Sequence, residues 1–121
     1  MKTAGTLTIP AQSTAAVRVL RWRGGTHPTE QTLRTQLQRG GVQPYLWTQG
    51  ANFRRPARSH AHERVLCCVE GSLEVSLPDL NQRVVLRAGD CLELPRNVRY
   101  ALTVGERGAR CLEGEKGAFV G

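Results

Sequence analysis

The segment Arg58-Ser59-His60-Ala61-His62-Glu63-Arg64 concentrates the side chains of this chain that could do chemistry. On an extended strand, alternate residues share a face, so Arg58, His60, His62 and Arg64 would all point to one side. His60 and His62 could then chelate one ion, provided further ligands arrive from elsewhere. A catalytic metal takes about three protein ligands and keeps an open position. Guanidiniums stay protonated at any working pH and repel a divalent cation at close range. The same guanidiniums suit a carboxylate or a phosphate, which they bind in a bidentate manner.

Other residues offer less. Ser59 next to His60 does not form a nucleophile–base pair, because neighbours on a strand point apart. Cys67, Cys68, Cys91 and Cys111 lack C-x-x-C spacing, and the expectation is four reduced, buried thiols. The net charge is +7, carried by 17 basic residues of which Lys2 and Lys116 are the lysines. Arg54, Arg55 and Arg58 cluster beside Phe53, but no helix-turn-helix, zinc finger or aromatic RNA-binding platform accompanies them. A solvated basic face is expected, and nucleic acid is not an expected partner.

These residues need elements to position them. At 121 residues, 40% of them hydrophobic, the chain fits one domain with a single core. No apolar run approaches a membrane span and the first 20 residues lack a signal-peptide block, so a soluble cytoplasmic protein is expected. Short β-branched segments at Leu7–Ile9 and Val17–Trp22 read as strands. A helix is expected over Pro28–Arg39, started by Pro28 and Glu30 and stopped by Gly40-Gly41. From Tyr45 onward short strands alternate with turns: Tyr45–Trp47, Val65–Val69, Leu73–Leu77, Val84–Leu86, Cys91–Leu94, Tyr100–Val104 and Arg110–Leu112. That spacing predicts an antiparallel barrel or jelly roll.

Residues 43–112 resemble the cupin family, small jelly-roll barrels that usually hold one metal in the barrel mouth. Gly50, His60-Ala61-His62, Glu63 and Val69-Glu70-Gly71 are similar to the family's first motif; Gly89-Asp90 and Pro95 are similar to the second. The segment Gln43-Pro44-Tyr45-Leu46-Trp47 after a helix is similar to one found in a group of small bacterial cupins of uncharacterised function. The resemblance implies an all-β, cupin-like jelly-roll β-barrel with N-terminal strands and one short α-helix. It also implies where the chain departs from the pattern. Counted back from Gly71, the first histidine of the usual pair falls on Arg58, the second on His60 and the acidic ligand on Arg64. In the second motif Asn97 replaces the glycine and Tyr100 takes the histidine's place. An alternative register pairs His60 with His62.

The expected organisation is residues 1–42 as strands and helix packed on the barrel, 43–113 as barrel core and 114–121 as a flexible tail. The expected ligand site is Arg58, His60, His62, Arg64 and Tyr100, taking a small, anionic molecule in the barrel mouth. No tightly held cofactor is expected; a divalent metal, if one binds, falls to His60 and His62, and a metal-dependent isomerase, dioxygenase or decarboxylase is the enzymatic alternative. A merely packed barrel serving as a structural module is the third reading. Val65, Cys67 and Val69 are apolar on the face opposite Leu66 and Cys68. That face needs a cover, either the N-terminal elements or a second subunit, and a homodimer is expected.

Overall fold

The computed structural model describes residues 4–8 and 16–117. Among the described residues eight strands form one antiparallel sheet: β1 (Ala4–Thr8), β2 (Ala16–Leu20), β3 (Tyr45–Gln49), β4 (Arg54–Arg58), β5 (Arg64–Leu77), β6 (Gln82–Arg87), β7 (Cys91–Leu94) and β8 (Tyr100–Glu115). The order is β1-β2-β7-β5-β8-β3, with β6 added to β5 and β4 added to β8. One helix, α1 (Glu30–Arg39), follows β2. The architecture is the all-β jelly-roll barrel with N-terminal strands and one short helix that the sequence predicts. The expected Ile9 end of the first strand lies outside the described residues.

Two long strands organise the barrel. The first half of β5 pairs with β7 and its second half with β6, while β8 carries β4 at its start and β3 at its end. The β5–β8 ladder shifts register on either side of Gly71, whose φ is +82°. A side chain at Gly71 would run into the carbonyl oxygen of Gly108, so only glycine lets the two strands meet there. The sequence places a break at Gly71. The backbone instead bends and continues, and the two pairs of short strands expected on either side of these glycines become β5 and β8.

The alternation of apolar residues then sorts the core. Leu66, Cys68, Leu73, Val75, Leu77, Leu86, Leu92, Leu102, Val104 and Cys111 fill the barrel. Val65, Cys67, Val69, Cys91 and Leu112 face outward and are covered by Leu33, Leu37 and Val42, from α1 and the segment after it. Each such side chain contributes about 1.5–3 kcal/mol on burial. α1 starts where Thr29 caps it, its hydroxyl accepting from the Thr32 amide at 3.1 Å, two residues later than the expected start at Pro28. The cover that the second face of β5 requires is therefore supplied within the chain.

Two expectations are corrected here. Gly114 and Glu115 are not a flexible tail: they are the last residues of β8, opposite Val65 and Arg64, and Lys116 bridges to Val42. Gly117 follows, its amide donating to the Gly41 carbonyl at 3.0 Å, and residues 118–121 lie outside the described residues. Nor are all four cysteines reduced. Cys67 and Cys91 stand directly opposite each other on β5 and β7, Cα–Cα 4.0 Å, and are disulfide-bonded. Cys68 and Cys111, opposite each other on β5 and β8, are free and buried in the barrel. The Cys111 thiol is pushed up by its hydrogen bond with Cys68 and by burial, which holds it protonated.

Candidate functional site: a buried carboxylate in the barrel mouth

Side chains from near the two ends of β8 meet inside the barrel. Tyr100 opens the strand and Glu113 lies near its close; the Tyr100 hydroxyl donates to Glu113 Oε2 at 2.9 Å. Glu113 is fully buried although it carries a charge. Its position follows from strand parity, since Cys111 points into the barrel and Glu113 is two residues on.

Four strands aim donors at this carboxylate. From β5, Arg64 Nε donates to Oε2 at 3.0 Å. From β4, Arg55 places Nη1 3.3 Å from Oε1 and Nη2 3.3 Å from Oε2. From β3, the Trp47 indole N–H donates to Oε1 at 2.9 Å. Five donor contacts with Tyr100 included use up the roughly four lone-pair positions of a carboxylate. Burial alone would raise the Glu113 carboxyl; Arg55, with the bonds from Arg55, Tyr100 and Trp47, outweighs burial and holds it below its ordinary value. Glu115, at the end of β8, adds a looser contact of 3.5 Å to Arg64 Nη1.

His60 joins from the loop between β4 and β5. Its carbonyl accepts from the Asn97 amide at 2.8 Å, and Asn97 holds the left-handed conformation (φ 66°) that makes this turn. His60 Nε2 lies 2.9 Å from the Tyr100 oxygen. Because that hydroxyl gives its proton to Glu113, the hydrogen-bond network assigns the His60 proton to Nε2, leaving Nδ1 as an acceptor. Burial first, then the charges of Arg64 and Arg58, push the imidazole below its ordinary pKa, so it is neutral at pH 7. Tyr100 is pushed up to about 12 by burial and by the Glu113 carboxylate, and keeps its proton.

Of the five residues singled out in the sequence, His60, Arg64 and Tyr100 converge. Arg58 and His62 do not: both are exposed, and among the described residues neither makes a hydrogen bond or an ion pair with the cluster. The shared strand face fails because β4 ends at Arg58 and β5 begins at Arg64, with both histidines in the loop between them. Arg55, Trp47 and Glu113 escaped sequence reasoning. Arg55 belongs to the cluster expected as a solvated basic face, and β4 carries no strand signal because Arg54-Arg55-Pro56-Ala57-Arg58 has no β-branched or aromatic residue. Parity with Phe53, which packs on the barrel core, was the signal available for Arg55.

A metal does not fit this donor set. Imidazole, phenol and carboxylate do converge, but the carboxylate's lone pairs are taken and two guanidiniums flank it. The phenol stays protonated, and among the described residues no group of three or more His, Cys, Asp or Glu could hold an ion. The His60–His62 pair expected as the metal's holders is split between the cluster and the surface.

The same arrangement of strands recurs in solved structures. An RmlC-like cupin from Shewanella frigidimarina superposes with a TM-score of 0.56 at 16% identity, over 97% of this chain and 86% of its own. The fold is that of the cupins. A cupin superfamily protein from Desulfitobacterium hafniense (TM-score 0.56, 14% identity, 89% of this chain and 83% of its own) shares it. So does a DUF861 family protein from Thermotoga maritima (TM-score 0.55, 17% identity, 82% and 98%). No family model and no curated protein sequence matches the chain. At these identities the likeness carries the cupin fold and no activity, since one fold hosts many functions. Among the described residues no helix is long and apolar enough to cross a membrane.

Proposed function

We propose that this cupin barrel recognises a small anionic molecule, a carboxylate or a phosphate, at its mouth, without a metal. One observation carries the reading. Two guanidiniums, Arg55 and Arg64, share the buried carboxylate of Glu113, and Arg55 Nε is buried with no acceptor among the described residues. A buried donor left unpaired costs about 1–3 kcal/mol, which an incoming anion would recover. Arg58 at the rim adds positive charge, and neutral His60 offers a further polar contact. The site residues of this reading are Arg55, Arg58, His60, Arg64 and Tyr100; His62 is outside it.

The packed barrel is the competing reading, favoured by Glu113 itself, which already answers part of the arginine charge. Thermal-shift measurements on small carboxylates, phosphates and sugar acids separate the two. An anion that binds the folded state alone stabilises it by about 2.7 kcal/mol at a hundredfold excess over its dissociation constant. The anion reading expects at least one stabiliser whose effect is lost in Arg64→Met and weakened in the exposed variant Arg58→Gln. Effects that persist unchanged in both variants are ionic-strength effects and leave the packed barrel.

The proposal includes a homodimer. With the outer face of β5 covered by α1, support comes from β3, which ends the sheet order and exposes Tyr45 and Leu46. A cytoplasmic setting is part of the same proposal, with Cys67–Cys91 a disulfide of the kind that is rare in reducing compartments.

A further inference from the structure

The groups around the Arg55 guanidinium are those of a receptor for a cation. It lies over the Trp47 ring, 5.9 Å from the centroid, and over the Tyr100 ring, 5.5 Å from the centroid. Its two terminal nitrogens engage the two oxygens of Glu113, one apiece, and Nη2 is also 3.3 Å from the Tyr100 oxygen. Two aromatic faces closed at one end by a carboxylate and a phenol hold a planar, delocalised cation by cation–π attraction and paired N–H···O bonds. The strand that delivers Arg55 is lightly held. β4 pairs on one side, with β8, and its ladder is irregular between Arg55 and Arg58. Pro56 removes one of its amides, and Arg54, Pro56, Ala57 and Arg58 are all exposed. Arg55 is thus the side chain that β4 sends to the site, and its Nε has no acceptor among the described residues.

We infer that Trp47, Tyr100 and Glu113 form a binding site for a guanidinium group, with Arg55 as its resident, intramolecular occupant. The chain carries its own cation inside the barrel, and a guanidino compound in solution takes the same place once Arg55 is removed. Charge alone does not make this site: a compact ammonium lacks the flat faces that two aromatic rings contact and the fork that spans both carboxylate oxygens. The inference stands apart from the anion reading, since it concerns the inner lining of the mouth and not the outward charge of the arginines.

The test is complementation of the missing side chain. Arg55→Ala and wild type are heated with methylguanidinium, with methylammonium, and with sodium chloride at the same ionic strength. Arg55→Ala should melt several degrees below wild type. Methylguanidinium at about a hundred times its dissociation constant should restore much of that difference by mass action. Methylammonium and sodium chloride should restore little, and wild type, whose site is filled, should not respond to methylguanidinium. Adding Glu113→Gln to Arg55→Ala should abolish the rescue. If Arg55→Ala does not fold in plain buffer, the yield of soluble protein refolded with and without methylguanidinium is the readout, with Arg55→Met, which keeps an apolar stem, run beside it. The proposal is overturned if methylguanidinium and methylammonium act alike, if rescue survives Glu113→Gln, or if refolding yields do not respond.

Discussion

Arg64 Nε lies 3.0 Å from Glu113 Oε2, inside the barrel and away from solvent, and the two residues are 49 positions apart in the sequence. Removing one partner of such a pair leaves the other charge buried and uncompensated, at a cost of about 3–5 kcal/mol. Glu113→Ala is therefore expected to lose that much stability in urea denaturation, because it strands two guanidiniums. A change within about 0.5 kcal/mol, the range of an ordinary surface substitution, would show that the network does not hold the barrel together.

The same network sets a pH dependence. The His60 imidazole is held below its ordinary value of 6.5, so the unfolded chain takes up this proton first. Its contribution is present above pH 6.5 and is lost as pH falls from there through the folded value. Glu113 is held below its ordinary 4.5, so its contribution is present above that pH and is lost as pH falls through its folded value. Melting temperature should fall in two stages on acidification. His60→Gln should remove the upper stage and leave the lower one; a profile flat between pH 6.5 and 4.5 would contradict the His60 assignment, and one that stays flat as pH falls further below 4.5 would contradict the Glu113 assignment.

Metal content follows from the occupied lone pairs of Glu113. Protein purified without a polyhistidine tag is expected to carry well under one equivalent of iron, zinc, manganese or nickel after dialysis, and weak uptake of added nickel should follow the exposed His62. Elemental analysis close to one equivalent, lost in His60→Ala, would restore the metal reading.

The cysteines predict a thiol count. Denatured, unreduced protein should titrate as the two thiols of Cys68 and Cys111, with Cys67 and Cys91 appearing after reduction. Four thiols without reductant would show the pair to be open. Closing a loop of this length contributes about 3 kcal/mol, so reduction should also lower the melting temperature.

The edge strand β3 predicts the assembly. Light scattering should give a dimer mass for wild type and a monomer mass for Leu46→Lys, which charges that edge. A monomer mass for wild type at micromolar concentration would remove the dimer.

Much of the barrel was legible because its signals are local. Alternation from Leu73 to Leu77 and the turn at Gly89-Asp90 each specify their own backbone: Asp90 accepts from the amides of Trp22 and Arg87, fixing that turn against the segment that follows β2. The site was legible in part. His60, Arg64 and Tyr100 are reached through a motif, yet their centre, Glu113, lies one residue past the last expected strand, Arg110–Leu112. What makes Glu113 central is its partners, Arg55, Arg64 and Trp47, which lie 58, 49 and 66 residues away along the chain. Pairings over such distances are made by the register of β8 against β3, β4 and β5, and no local pattern encodes them. The adjacent cysteines misled for the same reason: parity put Cys67 and Cys68 on opposite faces, but only the β5–β7 register sets Cys91 opposite Cys67.

The central claim, an anion-recognising mouth without a metal, is tested most directly by electron density there, in crystals grown without added metal and in the presence of a stabilising anion from the thermal screen. The account predicts that anion within hydrogen-bond distance of Arg55 Nε, with Arg58 or His60 on its other side and the Glu113 network intact. A metal ion coordinated by His60, or ordered water alone around an unchanged Arg55, would contradict it.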